Sequence, residues 1–570
     1  METRNFDQAS RHPYFATPNP IDGNLVVDPE VELKVKGGTV SVELLYNARS
    51  TVNAEYGQSR SSSVNDQLAY LGGSNAIITR GDGRADAFVK GAVSGTKTTF
   101  DASSTAYSPT TLIYDSATSR FYEGYPDGRE MAYYKPTVSG NYRPEVLSTP
   151  TGLRTTYAYD VIGTRSYLRS IQEPSGQRVT FNYSTGTPTS LLSSIVDWSG
   201  RTWTLAYDAS RYLTSFQTPL GCTTQYTYDN AGSSSKKLHA IDDPRGYRTI
   251  YMYDTSDRVV SMGAGTAVWT WSYSLGGGLY GSAVTAPSGA ITTYVLDADG
   301  NIANEQRPEG YTVTYSYDAN KRRVKAVAVD RVITSLVYNA RNQVTVSEDP
   351  LGYRTSFSYD GSNNLSSVQD ALGNLTTYSY DAARNKVSQI DALNRVTSWT
   401  YNSDGSLQAV IDPRGLRFTY TYDTPGNLKS TLEMYGWLVT HNYDTLNRLT
   451  STQNQFDYRT SYSYDAGDNV VSVMNAVGDV TTYVYDGCLR VAEVSGLGQR
   501  TTTTYGRFTN PLTVQDALGF VTTYGYDNMG YQTSATDPLG RVSTTVYDAS
   551  KRVIAQQDAL GYLTTYAYDS

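Results

Sequence analysis

Hydrophobic and polar positions in this chain repeat every 21 residues over more than half its length. A Tyr-x-Tyr-Asp quartet marks the beat. It appears as Tyr315-Ser316-Tyr317-Asp318, Phe357-Ser358-Tyr359-Asp360, Tyr378-Ser379-Tyr380-Asp381, Tyr420-Thr421-Tyr422-Asp423, Tyr462-Ser463-Tyr464-Asp465 and Tyr483-Val484-Tyr485-Asp486. The second aromatic position falls at 317, 338, 359, 380, 401, 422, 443, 464 and 485. It slips by one residue at Tyr505 and resumes at Tyr526-Asp527, Tyr547-Asp548 and Tyr568. A fixed period in this range signals a repeat architecture, in which each unit buries its apolar face only against its neighbours.

Within one unit, Asp370-Ala371-Leu372-Gly373 reads as a turn, with Asp first and Gly last. Sister copies place Pro second, as in Asp349-Pro350-Leu351-Gly352, Asp412-Pro413-Arg414-Gly415 and Asp537-Pro538-Leu539-Gly540, and Asp516 to Gly519 repeats the Ala form. A strand is predicted from Asn374 to Tyr380, with Thr376, Tyr378 and Tyr380 on one face. Asp381 opens a second turn. In other copies that turn carries Gly426-Asn427 or Gly467-Asp468-Asn469, where a positive φ is expected. A second strand runs from Lys386 to Ile390. One repeat is one β-hairpin, and equally short links make the whole a continuous antiparallel meander. The fold class is therefore all-β, a hairpin strip coiling into a spiral shell or an open solenoid.

The named positions Tyr317, Asp318, Tyr359, Asp360, Tyr380, Asp381, Tyr422, Asp423, Tyr464, Asp465, Tyr485, Asp486, Tyr526, Asp527, Tyr547 and Asp548, with Gly352, Gly373, Gly415, Gly519 and Gly540, are read as structural repeat residues. Asp closes a turn through backbone N–H groups, and the tyrosines stack in columns. Counting from Tyr159 gives twenty units. Strands lie about 4.8 Å apart, so twenty hairpins advance a sheet about 190 Å, roughly one turn of a ring near 60 Å across. Regular repeats occupy 317–570, the last one truncated. Irregular ones occupy 151–316, with an insertion at Ser261–Gly281 carrying Trp269 and Trp271.

Residues 1–150 lack the period but alternate as strands at Val31–Val35 and Val40–Leu44. Gly81-Asp82-Gly83 and Asp127-Gly128 mark hairpins, and 48–66 reads as a polar loop. The segment is expected to be a β-rich capping domain, since repeat arrays need atypical ends.

Composition sharpens the strand reading: Tyr numbers 51 against 12 Phe, and Tyr suits a pleated, half-buried surface. A net charge of −8 and only 18% charged residues argue against a nucleic-acid partner, which needs basic stripes. No stretch is long and apolar enough for a membrane span, and Met1 to Asp7 has no signal-peptide core. Candidate chemistry is sparse. His12, His239 and His441 lack metal-spaced partners, and no cofactor or metal is expected. Asp349, Asp412 and Asp537 could be read as protease carboxylates, but their regular recurrence makes them turn residues. Arg80-Gly81-Asp82 matches an adhesion tripeptide, but as part of a Gly-Asp-Gly turn it reads as incidental. Cys222 and Cys488 fit no metal spacing, and their pairing stays open.

The Tyr-Asp hairpin with its Asp-Pro-x-Gly or Asp-Ala-x-Gly turn resembles the Rhs/YD-repeat family, over roughly 151–570. Asn19-Pro20-Ile21-Asp22-Gly23 and Tyr46-Asn47-Ala48-Arg49-Ser50 are similar to the segment preceding the repeats in bacterial members, although the usual Gly-x-Gly-Trp element is replaced by Tyr56-Gly57-Gln58-Ser59. The resemblance implies a β-strip wound into a hollow shell, as in polymorphic toxins, toxin-complex subunits and teneurins. It implies a secreted or cell-surface setting and a partner that is an effector or cargo polypeptide, or the remaining shell of a parent protein. On this reading the chain is a non-catalytic shell segment whose C-terminal effector is absent. Alternatives are an adhesion module binding cell-surface glycans or proteins through aromatic faces and, more remotely, an enzyme. Lumen-lining or buried tyrosines would favour the shell; exposed outer ones would favour recognition.

Overall fold

The computed structural model describes residues 66–568, apart from 72–74, 81–84, 103–109, 138–139, 185–189, 230–235, 276–279, 329–330, 488 and 549–550. Before residue 66 it describes 19, 25–27, 30–35, 38–44, 46–47, 53–54, 57–58, 60 and 62–64. Predicted hairpin Gly81-Asp82-Gly83, His12, Cys488 and the last residues Asp569 and Ser570 lie outside the described residues.

The hairpin around Tyr380 shows how each unit forms. Strand Leu375–Tyr380 pairs antiparallel with Lys386–Ile390, with Thr377 opposite Ile390, Tyr378 opposite Gln389 and Tyr380 opposite Lys386. The register steps by one residue between Ser379 and Tyr380. That step is a β-bulge, which bends the strand and increases its twist. The same bulge sits at the Tyr of each regular repeat, for instance at Tyr359, Tyr422 and Tyr464. Strand Lys386–Ile390 then pairs with Val396–Tyr401 of the next unit.

Repeated, this ladder gives one antiparallel sheet of 47 strands in sequence order, from Gln67–Leu71 to Leu563–Thr565. It crosses residue 150 without a break, because Arg143–Ser148 pairs with Arg154–Ile162. The sheet curls on itself near its start. Leu68 and Tyr142 exchange backbone hydrogen bonds of 3.0 and 2.9 Å, around a core of Leu68, Ile78, Phe88, Phe100, Leu112 and Phe121.

Three expectations need correction. Residues 259–272 are not a looped insertion: Val259–Ala264 and Ala267–Ser272 pair as one more hairpin of the ladder. Part of the expected 48–66 loop is structured, with Asn53–Ala54 paired to Gly57–Gln58 and Arg60 fully buried. In the Asp465 turn the left-handed residue is Asp468, with φ 68°, as Arg384 is in the Asp381 turn at 66°. Gly467 therefore answers to another constraint, described below.

The strip winds faster than strand spacing alone implied. Hydrogen bonds join turns 247 to 270 residues apart in sequence, with 258 residues between Pro126 and Arg384. At 21 residues per hairpin, 258 residues is about twelve hairpins, or roughly 115 Å of strip. The array thus exceeds one revolution, and the second revolution lies along the edge of the first.

Candidate functional site

Both turns of the repeat are built by the same carboxylate device. Asp370 Oδ1 accepts the backbone N–H of Leu372 and of Asn374, both at 2.9 Å, while Oδ2 takes the Asn374 side-chain amide at 2.8 Å. In the Tyr-Asp turn, Asp360 accepts from Ser362 and Asn364 in the same way, and Asp465 from Gly467 and Asn469. Arg replaces the Asn in some copies, so Arg541 Nε donates to Asp537 at 2.6 Å. These donors hold the Asp370 and Asp537 carboxyls below their usual range. The Asn374 amide acts first at Asp370, and the Arg541 backbone N–H acts first at Asp537. In the linking turns the final residue is left-handed, as at Gly373 with φ 84°.

The second Tyr of each quartet is a clamp between hairpins. Tyr380 donates its hydroxyl to the carbonyl of Leu365 at 2.9 Å. The same bond, fifteen residues back, links Tyr359 to Val344, Tyr443 to Leu428, Tyr464 to Leu449, Tyr485 to Val470 and Tyr526 to Pro511. The acceptor five residues past the preceding Tyr-Asp turn is aliphatic in these copies except Pro511, and Lys386 or Gln532 in others. Burial raises these phenols above their ordinary value, as at Tyr380 and Tyr464. The recurring Tyr–Asp pairs and glycines thus occupy the strip's joints.

The tyrosine face differs along the strip. Between residues 168 and 271 it is covered by the N-terminal segment. Leu25, Val42, Leu44 and Tyr46 pack with Phe181, Phe216, Tyr251, Tyr253 and Met262 in one core. Arg60 is sealed in this core. Its guanidinium donates to the Leu44 carbonyl (2.9 Å) and the Tyr228 hydroxyl (3.2 Å), and lies 5.0 Å from the Tyr226 ring centroid. Tyr46 accepts the Leu238 backbone N–H at 2.9 Å. In the later repeats the same face is only half-buried: Tyr378, Trp399, Tyr420 and Tyr462 have no such cover among the described residues. Sequence reasoning missed this division, but a signal existed. The residue opposite this column is the large apolar Ile195, Phe216, Ile241 or Met262 in the covered arc, and in later repeats it varies between smaller Val368, Val410 or Val473 and polar Gln389, Thr431 or Thr452.

The revolutions meet along a seam. The linking turns of the first revolution sit on the Tyr-Asp turns of the second. Trp198 Nε1 donates to Thr445 O (2.9 Å), Arg201 to Asp468 (2.6 Å) and Arg245 to Gly506 O (2.9 Å). In return, Asn447 donates to Gln177 (3.0 Å) and Arg507 to Arg248 O (2.8 Å). Leu220 rests directly on Gly467, where any Cβ would collide with it; this contact explains that glycine. Cys222, which is disulfide-bonded, lies beside Gly487.

Among the described residues no three metal-capable side chains converge. His441 sits in the aromatic column against Thr452 (3.1 Å), and burial lowers its pKa. His239 faces the Tyr251 carbonyl at 3.2 Å. Asp349 and Asp412 cap their linking turns, as Asp537 does. Arg80 is not displayed for adhesion. Its guanidinium is tied to Asp66 (3.2 Å), Asp86 (2.8 Å) and the fully buried Glu123. Burial works against the charge on Glu123, but Arg80 and the Tyr133 hydroxyl bond it and hold its pKa low.

The model of the RHS Repeat family matches residues 338–375, 359–396 and 505–542. No curated protein matches the sequence. Among solved structures, the TcdB2-TccC3 crystal structure without its hypervariable C-terminal region is 12% identical with a TM-score of 0.42, over 94% of this chain and 35% of that one. The Photorhabdus luminescens Tc holotoxin pore structure is 11% identical, with a TM-score of 0.39 over 93% and 35%. The N-terminal domain of SpvB from Salmonella typhimurium is 14% identical with a TM-score of 0.23, over 37% of this chain and 97% of that domain. The chain spans about a third of the length of the Tc chains. Residues 338–396 and 505–542 are thus Rhs repeats by the family model, and the same 21-residue register runs beyond them.

Proposed function

We propose that the chain is a structural shell segment of a secreted or cell-surface toxin-like protein, non-catalytic itself, that encloses or presents a polypeptide cargo. The observation that carries this reading is the seam. A strip whose second revolution hydrogen-bonds along the first is a continuous wall, and a wall is what enclosure needs. The clamp tyrosines support it further, because their hydroxyls are spent on backbone carbonyls rather than offered to a ligand. No helix among the described residues is long and apolar enough to cross a membrane.

The test is protease protection. A short reporter polypeptide appended after Ser570 is digested beside the same reporter free in solution. Enclosure predicts that the appended reporter outlasts the free one and loses that advantage when urea unfolds the wall. Digestion at equal rates in native buffer would sink the proposal.

A second reading, recognition of cell-surface glycans or proteins, is favoured by exposed aromatic pairs on the linking turns. Tyr435 and Trp437 have ring centroids 6.5 Å apart, as do Phe456 and Tyr458. A glycan array on folded protein tests it, and binding lost on Trp437→Ala would support it over the shell.

A further inference from the structure

Cys222 sits in the seam and is disulfide-bonded. It closes a linking turn of the first revolution, where Thr218 N donates to its carbonyl at 3.0 Å. Facing it is the Tyr-Asp turn opened by Asp486: a Cβ placed on Gly487 would stand 3.4 Å from Cys222 Sγ. The residue after Gly487 is Cys488, the one other cysteine of the chain. It lies one Cα step of about 3.8 Å further on, within the reach of a disulfide, whose Cα atoms stand about 4.4–6.8 Å apart.

The 21-residue register breaks at this same turn. Tyr485 pairs with Arg490, whereas Tyr464 pairs with Val470 and Tyr526 with Gln532, one residue further on. Asp486 N donates to Leu489 O at 3.0 Å, while Asp465 N reaches past the equivalent position to Asn469 O, also at 3.0 Å. The residue missing from the beat before Tyr505 is thus missing from the Tyr-Asp turn that meets Cys222. Every other Tyr-Asp turn between Tyr317 and Val553 keeps its full length.

Around Cys222 the revolutions are otherwise joined by a partly exposed ion pair, a packing contact and a hydrogen bond: Arg201 with Asp468, Leu220 with Gly467, and Arg245 with Gly506 O. Partly exposed ion pairs contribute little. A covalent link between positions as distant in sequence as 222 and 488 restrains the chain far more, because the loop it closes is long. Cys222 can also be reached. A cleft of about 470 Å³ opens beside it, lined by Leu220, Thr223, Asp242, Arg245 and Asp486, and space of that size admits a small molecule.

We propose that Cys222 and Cys488 form a latch across the seam that small thiols open by reduction. A thiolate entering the cleft attacks Cys222 Sγ. The S–S bond breaks, and Cys488 leaves as a thiolate that takes up a proton from solvent. A second reductant thiolate attacks the mixed disulfide and releases Cys222, which is protonated in turn. Two reductant thiols end as one disulfide, and two electrons pass to the protein. The latch holds in the oxidising setting of secreted proteins and yields where thiol pools are reducing. It rests on the shell reading only for what an opened wall would free, so its test contains no cargo.

The full-length protein, produced in an oxidising compartment, is digested without reduction and mapped by mass spectrometry, then followed by hydrogen exchange with and without dithiothreitol. A peptide pair joined through Cys222 and Cys488 is expected, and it should disappear with dithiothreitol. Exchange in peptides spanning 218–225 and 483–494 should then become roughly tenfold faster or more. Peptides spanning 365–380, a hairpin elsewhere along the strip, should stay unchanged. Cys222→Ser, with folding checked by circular dichroism, should show the faster exchange from the start and ignore dithiothreitol. Absence of the joined peptides overturns the proposal, as does unchanged exchange in the facing turns after reduction. Faster exchange across 365–380 as well also overturns it, since the bond would then staple the whole fold rather than latch its seam.

Discussion

Replacing Tyr380 by Phe isolates the clamp that joins consecutive hairpins. The substitution keeps the ring in its half-buried column and deletes one O–H, the donor to Leu365 O at 2.9 Å. A net hydrogen bond is worth about 1 kcal/mol, so local opening of the strands Leu365–Gln369 and Leu375–Tyr380 should become roughly fivefold more frequent. In a repeat array that loss stays with the hairpin and its neighbours. Hydrogen exchange read by mass spectrometry on peptides spanning 365–380 measures it, with peptides near 526–547 as internal reference. Tyr378→Phe is the matched control, because no hydrogen bond from its hydroxyl is seen among the described residues. The reasoning fails if protection is unchanged in Tyr380→Phe, or if the control loses protection equally, since the column would then act through packing alone.

The remaining predictions concern charge and the seam. Turn carboxyls such as Asp254, Asp318 and Asp527 have folded pKa values below the ordinary one, and a depressed value means stability that is complete above an unfolded pKa of about 3.9 and lost as pH falls below it. Acid unfolding followed by tyrosine fluorescence should therefore set in below about pH 4, and Asp527→Asn should weaken that dependence; a transition unaffected by the substitution would refute the assignment. Gly467→Ala should destabilise by about 1–3 kcal/mol by overpacking against Leu220. Most of that cost should vanish in a Leu220→Ala background, and an undiminished cost in thermal melts would remove the seam from the explanation. Arg201 and Asp468, 2.6 Å apart across the seam, should show a coupling of about 0.5–1 kcal/mol in a double-mutant cycle that shrinks with added salt. No coupling would mean that the revolutions are held by other contacts.

Much of the fold is legible residue by residue. The Asp-x-x-Gly turn, the strand from residue 375 to Tyr380 and the turn opened by Asp381 follow from short-range chemistry: carboxylates that accept nearby N–H groups and side chains that alternate across a pleat. Gly467 shows where that reasoning ends. Its sequence context reads as a left-handed turn position, yet Asp468 takes that conformation and Gly467 is needed for a neighbour 247 residues away. The covered arc was equally hidden. Ile195, Phe216 and Met262 announce extra burial, but nothing local says that Leu25 and Tyr46 provide it.

The 21-residue beat by itself determined that this chain is a hairpin strip with its tyrosines on one face, because each hairpin is closed by groups within a few residues of one another. Only the tertiary structure decided how tightly the strip winds. Pitch is the sum of small bends at the β-bulge beside each clamp tyrosine, accumulated over about twelve hairpins. That sum brings Arg201 to Asp468 and Leu220 to Gly467. It seals the linking-turn edge of the first revolution in a seam and leaves that of the second in solvent, where Leu351, Leu372 and Leu393 stand exposed.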